Sequence, residues 1–203
     1  MHYFDHCIHF ADGLSGQIPA GKVVCVGLNY RDHISEMNSQ PGAEPVLFMK
    51  PSTALAFLEQ PIAIPTTLGA CHHEIEMAVL IGEQLSQCNE QEADAAIAGV
   101  GVALDLTLRE LQSQLKQKGL PWDKAKAFDG ACPTSAFVDR ARVTDLQDLP
   151  IRLTVNGGLR QQSSTAMMLT PVTQLIAYIS GFFTLKPGDI VLTGTPAGVG
   201  PLA

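Results

Sequence analysis

Residues 72–81 read His72-His-Glu-Ile-Glu-Met-Ala-Val-Leu-Ile81, and the reading of this stretch governs the rest. The run predicts a strand from His73 to Ile81. Side chains alternate along a strand with a period of two, so Glu74 and Glu76 project from the same face. Two carboxylates held that close repel and raise each other's pKa unless a cation or a salt-bridge partner offsets the repulsion. A metal is one natural partner; a solvent-facing strand with a Glu-x-Glu pair is the other reading of the motif alone. The apolar neighbours Ile75, Met77, Val79, Leu80 and Ile81 favour a buried setting.

Downstream, Val100-Gly-Val-Ala-Leu-Asp105 predicts a strand over Val100 to Leu106 that would leave Asp105 as an isolated charge in the interior. An unpaired buried carboxylate is costly, so Asp105 joins Glu74 and Glu76 as a third oxygen ligand. Three carboxylates without a nitrogen or sulfur set suit a hard cation, Mg²⁺ or Mn²⁺. Cys71-His72-His73 makes a poor zinc box, because consecutive strand residues face opposite ways and no second ligand pair follows. Upstream, Tyr30 to Met37 has helical character, with Asn29 or Asp32 as candidate caps. A three-residue separation there stacks His33 and Glu36 on one face, where the carboxylate would raise the basicity of the imidazole; an ordinary surface ion pair is the alternative. In Trp122-Asp-Lys-Ala-Lys-Ala-Phe128, Lys124 or Lys126 could offer a positive charge to an enolate or carboxylate, although surface lysines are the usual explanation. Leu192-Thr-Gly-Thr-Pro-Ala-Gly-Val-Gly200 is a loop where glycines admit a ligand and Thr193 and Thr195 offer hydroxyls. It lacks the Gly-Lys-Ser/Thr ending of a P-loop and the glycine fingerprint of a dinucleotide site, and no G-x-S-x-G occurs anywhere.

Other segments predict strands over Lys22–Val26, Val46–Met49 and Ile190–Thr193, and helices over Glu90–Ala98, Leu108–Lys118 and Thr173–Phe183. Asn156-Gly157 joins Ile151–Val155 to Leu159–Gln161 as a hairpin. Strands and helices do not alternate regularly, which argues against a doubly wound sheet and for an α+β, predominantly β, fold. With 203 residues, one domain is the default. The formal charge is -7 without any Lys/Arg block, so charge argues against nucleic acid and anionic lipid as partners. Only 16% of residues are charged, which suggests extra apolar surface at a subunit interface. Five scattered cysteines with no C-x-x-C pair fit reduced thiols in a cytosol. The N-terminus lacks the pattern of a signal peptide, and no apolar stretch approaches a membrane span.

As a set, Val26-Gly-Leu-Asn-Tyr-Arg-Asp-His33, Glu44-Pro-Val-Leu-Phe-Met-Lys-Pro51, His72-His-Glu-Ile-Glu76, Ala103-Leu-Asp-Leu-Thr107, Gly119-Leu-Pro-Trp-Asp-Lys-Ala-Lys126 and the 192–200 loop resemble the fumarylacetoacetate hydrolase family, in particular its short acylpyruvase-like members. The segments occur in family order from about Lys22 to the end. The resemblance implies a mixed β-roll or barrel with peripheral helices and a short lid helix, an N-terminal segment 1–21 ahead of a catalytic domain 22–203, and a homodimer in the cytoplasm. It implies that Glu74, Glu76 and Asp105 bind Mg²⁺ or Mn²⁺, and that His33 with Glu36 activates water. Lys126 matches an active-site lysine, and Arg109, Gln112 and Thr195 fall where substrate contacts lie. Members of the family continue past the GTPxGVG loop into further strands, whereas the sequence here stops at Ala203, so either the implied roll is incomplete or the sequence ends early. The implied activity is metal-dependent hydrolysis of the C–C bond of acylpyruvates, with a small 2-oxo acid as partner. Oxaloacetate decarboxylation, keto-enol tautomerisation and hydroxymuconate-type isomerisation share the same enolate and compete with it. An inactive carboxylate-binding protein on the same fold is the alternative from a different class.

Overall fold

The computed structural model describes residues 7–13, 18–37, 42, 44–65 and 67–202. In chain order the strands and helices are β1 (Cys7–Ile8), β2 (Ile18–Pro19), β3 (Val23–Gly27), α1 (Arg31–Glu36), β4 (Val46–Lys50), β5 (Leu55–Phe57), β6 (Cys71–His73), β7 (Ile75–Ile81), α2 (Glu90–Ala95) and β8 (Ile97–Leu104). They continue with β9 (Thr107–Leu108), α3 (Arg109–Gln117), α4 (Asp123–Lys126), β10 (Cys132–Thr134), β11 (Val138–Asp139), β12 (Pro150–Val155), β13 (Gly158–Ser164), α5 (Val172–Ser180), β14 (Ile190–Leu192) and β15 (Gly200–Pro201).

The main sheet runs β4-β3-β14-β7-β8-β10-β5, with β11 attached to β8. It is mixed: β14 pairs with β3 and β10 with β5 in parallel, while the other neighbours are antiparallel. The sheet curls into a half-barrel, so the fold is α+β with strands predominating.

Strand β7 is buried at every residue, and its alternation sorts the core into two layers. Ala78 and Leu80 join Val23, Cys25, Ala103, Ile190 and Leu192 on the inner face. Met77, Val79 and Ile81 join Val24, Val26 and Val191 on the outer face, beneath Leu175, Ile176 and Ile179 of α5 and Ala93 of α2. A strand covered on both faces reads as a continuous apolar run rather than an alternating one. Glu76 has the parity of Ala78 and Leu80, which directs it to the inner face.

Several boundaries differ from the sequence expectation. The helix expected over Glu90–Ala98 ends at Ala95, and the strand expected from Val100 begins at Ile97. Asn89 and Glu92 form a reciprocal cap that starts the helix, but Ile97 to Leu104 gains more by pairing along β7. Gly99 marks where the segment of Phe137 and Val138 packs alongside this strand: a Cβ there would sit 2.9 Å from the Val138 carbonyl. The expected 73–81 strand breaks at Glu74, dividing β6 from β7. Neither Asn29 nor Asp32 caps α1, whose N-cap is Tyr30 without a side-chain bond. Asn29 instead ties loops together, donating to the Thr170 and Thr193 carbonyls and accepting from the Thr170 amide.

Candidate active site

The register of β7 against β8 brings the acidic residues together. Ile75 pairs with Leu104 and Glu76 with Ala103, and one step further the Asp105 amide donates to the Glu74 carbonyl at 2.8 Å. Asp105 has the parity of Ala103, so it shares the inner face with Glu76. The result is a group of buried carboxylates, Glu74, Glu76 and Asp105, offering one oxygen each, all within 4.8 Å of one another.

Basic side chains from three other elements converge on this group. Lys126, the last residue of α4, places Nζ 2.9 Å from Glu74 Oε2 and 2.5 Å from Asp105 Oδ2. Lys50, which ends β4 and is fully buried, places Nζ 2.8 Å from Asp105 Oδ1 and donates to the Ala131 and Lys126 carbonyls. Arg109, which opens α3, pairs with Glu74 Oε1 and also donates to Gln112 Oε1 at 2.7 Å. Among the described residues Glu76 has no such partner, and it accepts from the Gly194 amide at 2.7 Å. Gly194 adopts φ +97°, and a Cβ there would lie 2.8 Å from Asn29 Cβ, so this approach of backbone to carboxylate requires glycine.

The electrostatics split the acids. Burial alone would push the Glu74 carboxyl upward, but Lys126 and Arg109 outweigh it and bring it down to about 2. Glu76 goes the other way: burial, then the charges of Asp105 and Glu74, raise it well above the carboxylate range. Burial disfavours the Lys126 ammonium, yet Asp105 and Glu74 more than compensate and hold it protonated beyond the usual lysine range. A divalent cation would supply the offset that Glu76 lacks. Asp105 Oδ1 would also accept such a cation, since Lys50 faces it as an ion pair but no donor among the described residues reaches it in hydrogen-bonding direction. An all-oxygen donor set suits a hard cation.

The group opens on a cleft lined by His33, Arg109, Gln112, Lys126 and Thr195 among others. Its free volume is about 60 Å³, room for a few waters or a compact ligand. His33, on the buried side of α1, holds Nδ1 3.1 Å from Glu36 Oε2. The other Glu36 oxygen accepts from the Gly198 amide at 3.0 Å. Phe48 and Trp122, which also line the cleft, form an aromatic wall with ring centres 6.0 Å apart.

The family model described as the fumarylacetoacetate (FAA) hydrolase C-terminal domain matches residues 22–203. The chain belongs to the fumarylacetoacetate hydrolase family. Oxaloacetate tautomerase YcgM of Escherichia coli (strain K12) is 58% identical over 185 residues, covering 91% of this chain and 84% of that protein. The human mitochondrial oxaloacetate tautomerase FAHD1 is 46% identical over 180 residues, covering 89% and 81%. A crystal structure of fumarylpyruvate hydrolase from Pseudomonas aeruginosa in complex with Mn²⁺ and pyruvate superposes with a TM-score of 0.92 at 34% identity, covering all of this chain and 91% of that one.

In this fumarylacetoacetate hydrolase family chain, the structure gathers Glu74, Glu76, Asp105, His33, Lys126, Arg109, Gln112 and Thr195 around one cleft, with Glu36 behind His33. Lys124 lies outside it and is exposed. Two residues that the sequence did not single out prove central. Lys50 is one. Gln161 of β13 is the other: its Oε1 accepts from the Ile75 amide and faces His73 Nδ1, while its Nε2 donates to Thr195 Oγ1 and the Pro196 carbonyl. Lys50 ends an apolar run, the signal that flagged Asp105. Gln161 carried no local signal, because its partners lie between 34 and 88 residues away.

Proposed function

We propose that the protein is a divalent-metal-dependent enzyme that interconverts the keto and enol forms of oxaloacetate. The observation that carries this reading is the convergence of three buried carboxylates with a protonated Lys126 and an imidazole on one small cleft. The oxaloacetate tautomerases at 58% and 46% identity support the choice of substrate.

Glu74, Glu76 and Asp105 would hold Mg²⁺ or Mn²⁺, which when bound supplies Lewis-acid stabilisation of charge on the 2-oxo oxygen. Arg109, Gln112 and Thr195 orient the acid in the cleft. Glu36 accepts from His33 Nδ1, which leaves Nε2 as the basic nitrogen. Nε2 removes a proton from C3, the C2–C3 bond gains double-bond character, and negative charge collects on the 2-oxo oxygen. Lys126 donates a hydrogen bond to that developing charge. The imidazolium then returns its proton to this oxygen, giving the enol, and the reverse sequence regenerates the ketone. The buried setting strengthens each of these interactions.

Acylpyruvate hydrolysis is the second reading, and the His33–Glu36 pair favours it, because the same Nε2 could take a proton from a water attacking the C4 carbonyl. The likeness to the fumarylpyruvate hydrolase of Pseudomonas aeruginosa supports keeping it. Residues 22–203 serve as the catalytic domain in either case. Among the described residues no helix is long and apolar enough to cross a membrane, and all five cysteines are free; we read the protein as a cytosolic homodimer. The deciding experiment follows deuterium exchange at C3 of oxaloacetate by NMR with Mg²⁺ or Mn²⁺, beside pyruvate release from acetylpyruvate. Metal-dependent exchange without pyruvate release supports the tautomerase. Pyruvate release without accelerated exchange replaces it with the hydrolase, and neither activity refutes both.

A further inference from the structure

We infer that Lys116, with Trp122 beneath it, binds a second carboxylate on the substrate and makes the site selective for dicarboxylic over monocarboxylic 2-oxo acids. This rests on the reading of the cleft as a 2-oxo acid site and names the group that reads the far end of the ligand.

Arg109, Gln112 and Lys116 lie at positions i, i+3 and i+7 of α3 and all line the cleft. That spacing puts them on one helical face, running outward from the carboxylate group, where Arg109 pairs with Glu74. Long helical side chains lean toward the helix N-terminus, which brings Lys116 back over the cleft.

The aromatic wall of the cleft repeats the pattern. Lys126 Nζ lies 5.1 Å from the centre of the Phe48 ring at the inner end, and Lys116 Nζ lies 5.5 Å from the centre of the Trp122 ring at the outer end. One aromatic wall therefore carries a cation at each end. The inner one is committed to Glu74 and Asp105. The outer one forms no ion pair with any carboxylate among the described residues. Stacking over Trp122 holds the ammonium in place without neutralising it, which suits a ligand anion. Once a divalent cation occupies the three acids, Arg109, Lys50, Lys126 and Lys116 leave the cleft with excess positive charge, which favours a dianion over a monoanion. A neutral acyl tail would gain nothing from Lys116.

Trp122 is the only tryptophan in the chain, so its emission reports the site directly. The test titrates the Mg²⁺-loaded protein at low ionic strength with pyruvate and with fresh oxaloacetate, which differ by one carboxylate, in wild type, Lys116→Met and Lys116→Arg. The wild type should prefer oxaloacetate. In Lys116→Met that preference should fall about tenfold, the size of a lost charge-assisted hydrogen bond at an exposed site, and Lys116→Arg should restore most of it. An undiminished preference in Lys116→Met, or no preference in the wild type, overturns the assignment. Because binding is read by emission, a wild type that prefers oxaloacetate through Lys116 yet fails to accelerate C3 exchange refutes the tautomerase and leaves this assignment standing.

Discussion

Lys50 and Asp105 each close an apolar strand, and they close it against each other. Breaking a buried ion pair by deleting one partner is far costlier than the pair's net worth, because the survivor stays buried. Lys50→Met should therefore lower stability by about 3–5 kcal/mol in urea unfolding; a loss under about 1 kcal/mol would mean that Lys126 alone compensates Asp105. At the acidic group, Glu76→Ala should reduce metal-dependent turnover at least ~100-fold and abolish Mg²⁺ binding by calorimetry. Retained tight binding would remove Glu76 from the ligand set. Much of this arrangement was legible beforehand: the spacing of Glu74 and Glu76 and the isolated charge at Asp105 both pointed to carboxylates meeting in the interior, although the strand itself breaks at Glu74. Lys50 obeyed the same logic, yet a lysine at a strand end reads equally well as solvated. Gln161 was illegible, since a glutamine in a hairpin gives no hint that it will bridge Ile75, His73 and Thr195.

Helix α1 spans only six residues and lacks a side-chain cap, so it holds its place through its contacts rather than its own propensity. Glu36 provides two of them, to His33 and to the Gly198 amide. Glu36→Gln keeps a single acceptor oxygen and can satisfy only one. The variant should turn over about tenfold more slowly and show faster amide exchange in residues 31–36, measured by mass spectrometry; unaltered exchange would separate the imidazole contact from any anchoring of the helix. Helix boundaries were the least legible feature. Ala96 to Ala98 carries acceptable helical residues, and only the pairing of Ile97 with Ile81, a partner set by the whole sheet, turns the segment into a strand.

For the molecule as a whole, folding buries Glu76 beside Asp105 and Glu74, where its ionised form is disfavoured until a cation offsets it, so ligand binding and stability are linked. Mg²⁺ or Mn²⁺ at about 100 times its dissociation constant should add about 2.7 kcal/mol, equivalent to a rise in Tm of about 5–10 °C for a chain of this size. EDTA should reverse it in differential scanning calorimetry, and Glu76→Ala should lose the increment. An identical rise in that variant would place the ion elsewhere. The architecture class was legible from the irregular succession of strands and helices, whereas the parallel pairing of β14 with β3, at opposite ends of the sequence, depends on how the sheet closes.

Because the acidic group is set by the alignment of β7 with β8, it is vulnerable to changes in length as well as in chemistry. Inserting or deleting one residue between Val100 and Leu104 would swing Asp105 to the side covered by α5, dismantling the acidic group although every carboxylate remained in the chain. Variation among natural homologues should therefore tolerate gaps in the turn at Asn156-Gly157 and exclude them from this segment.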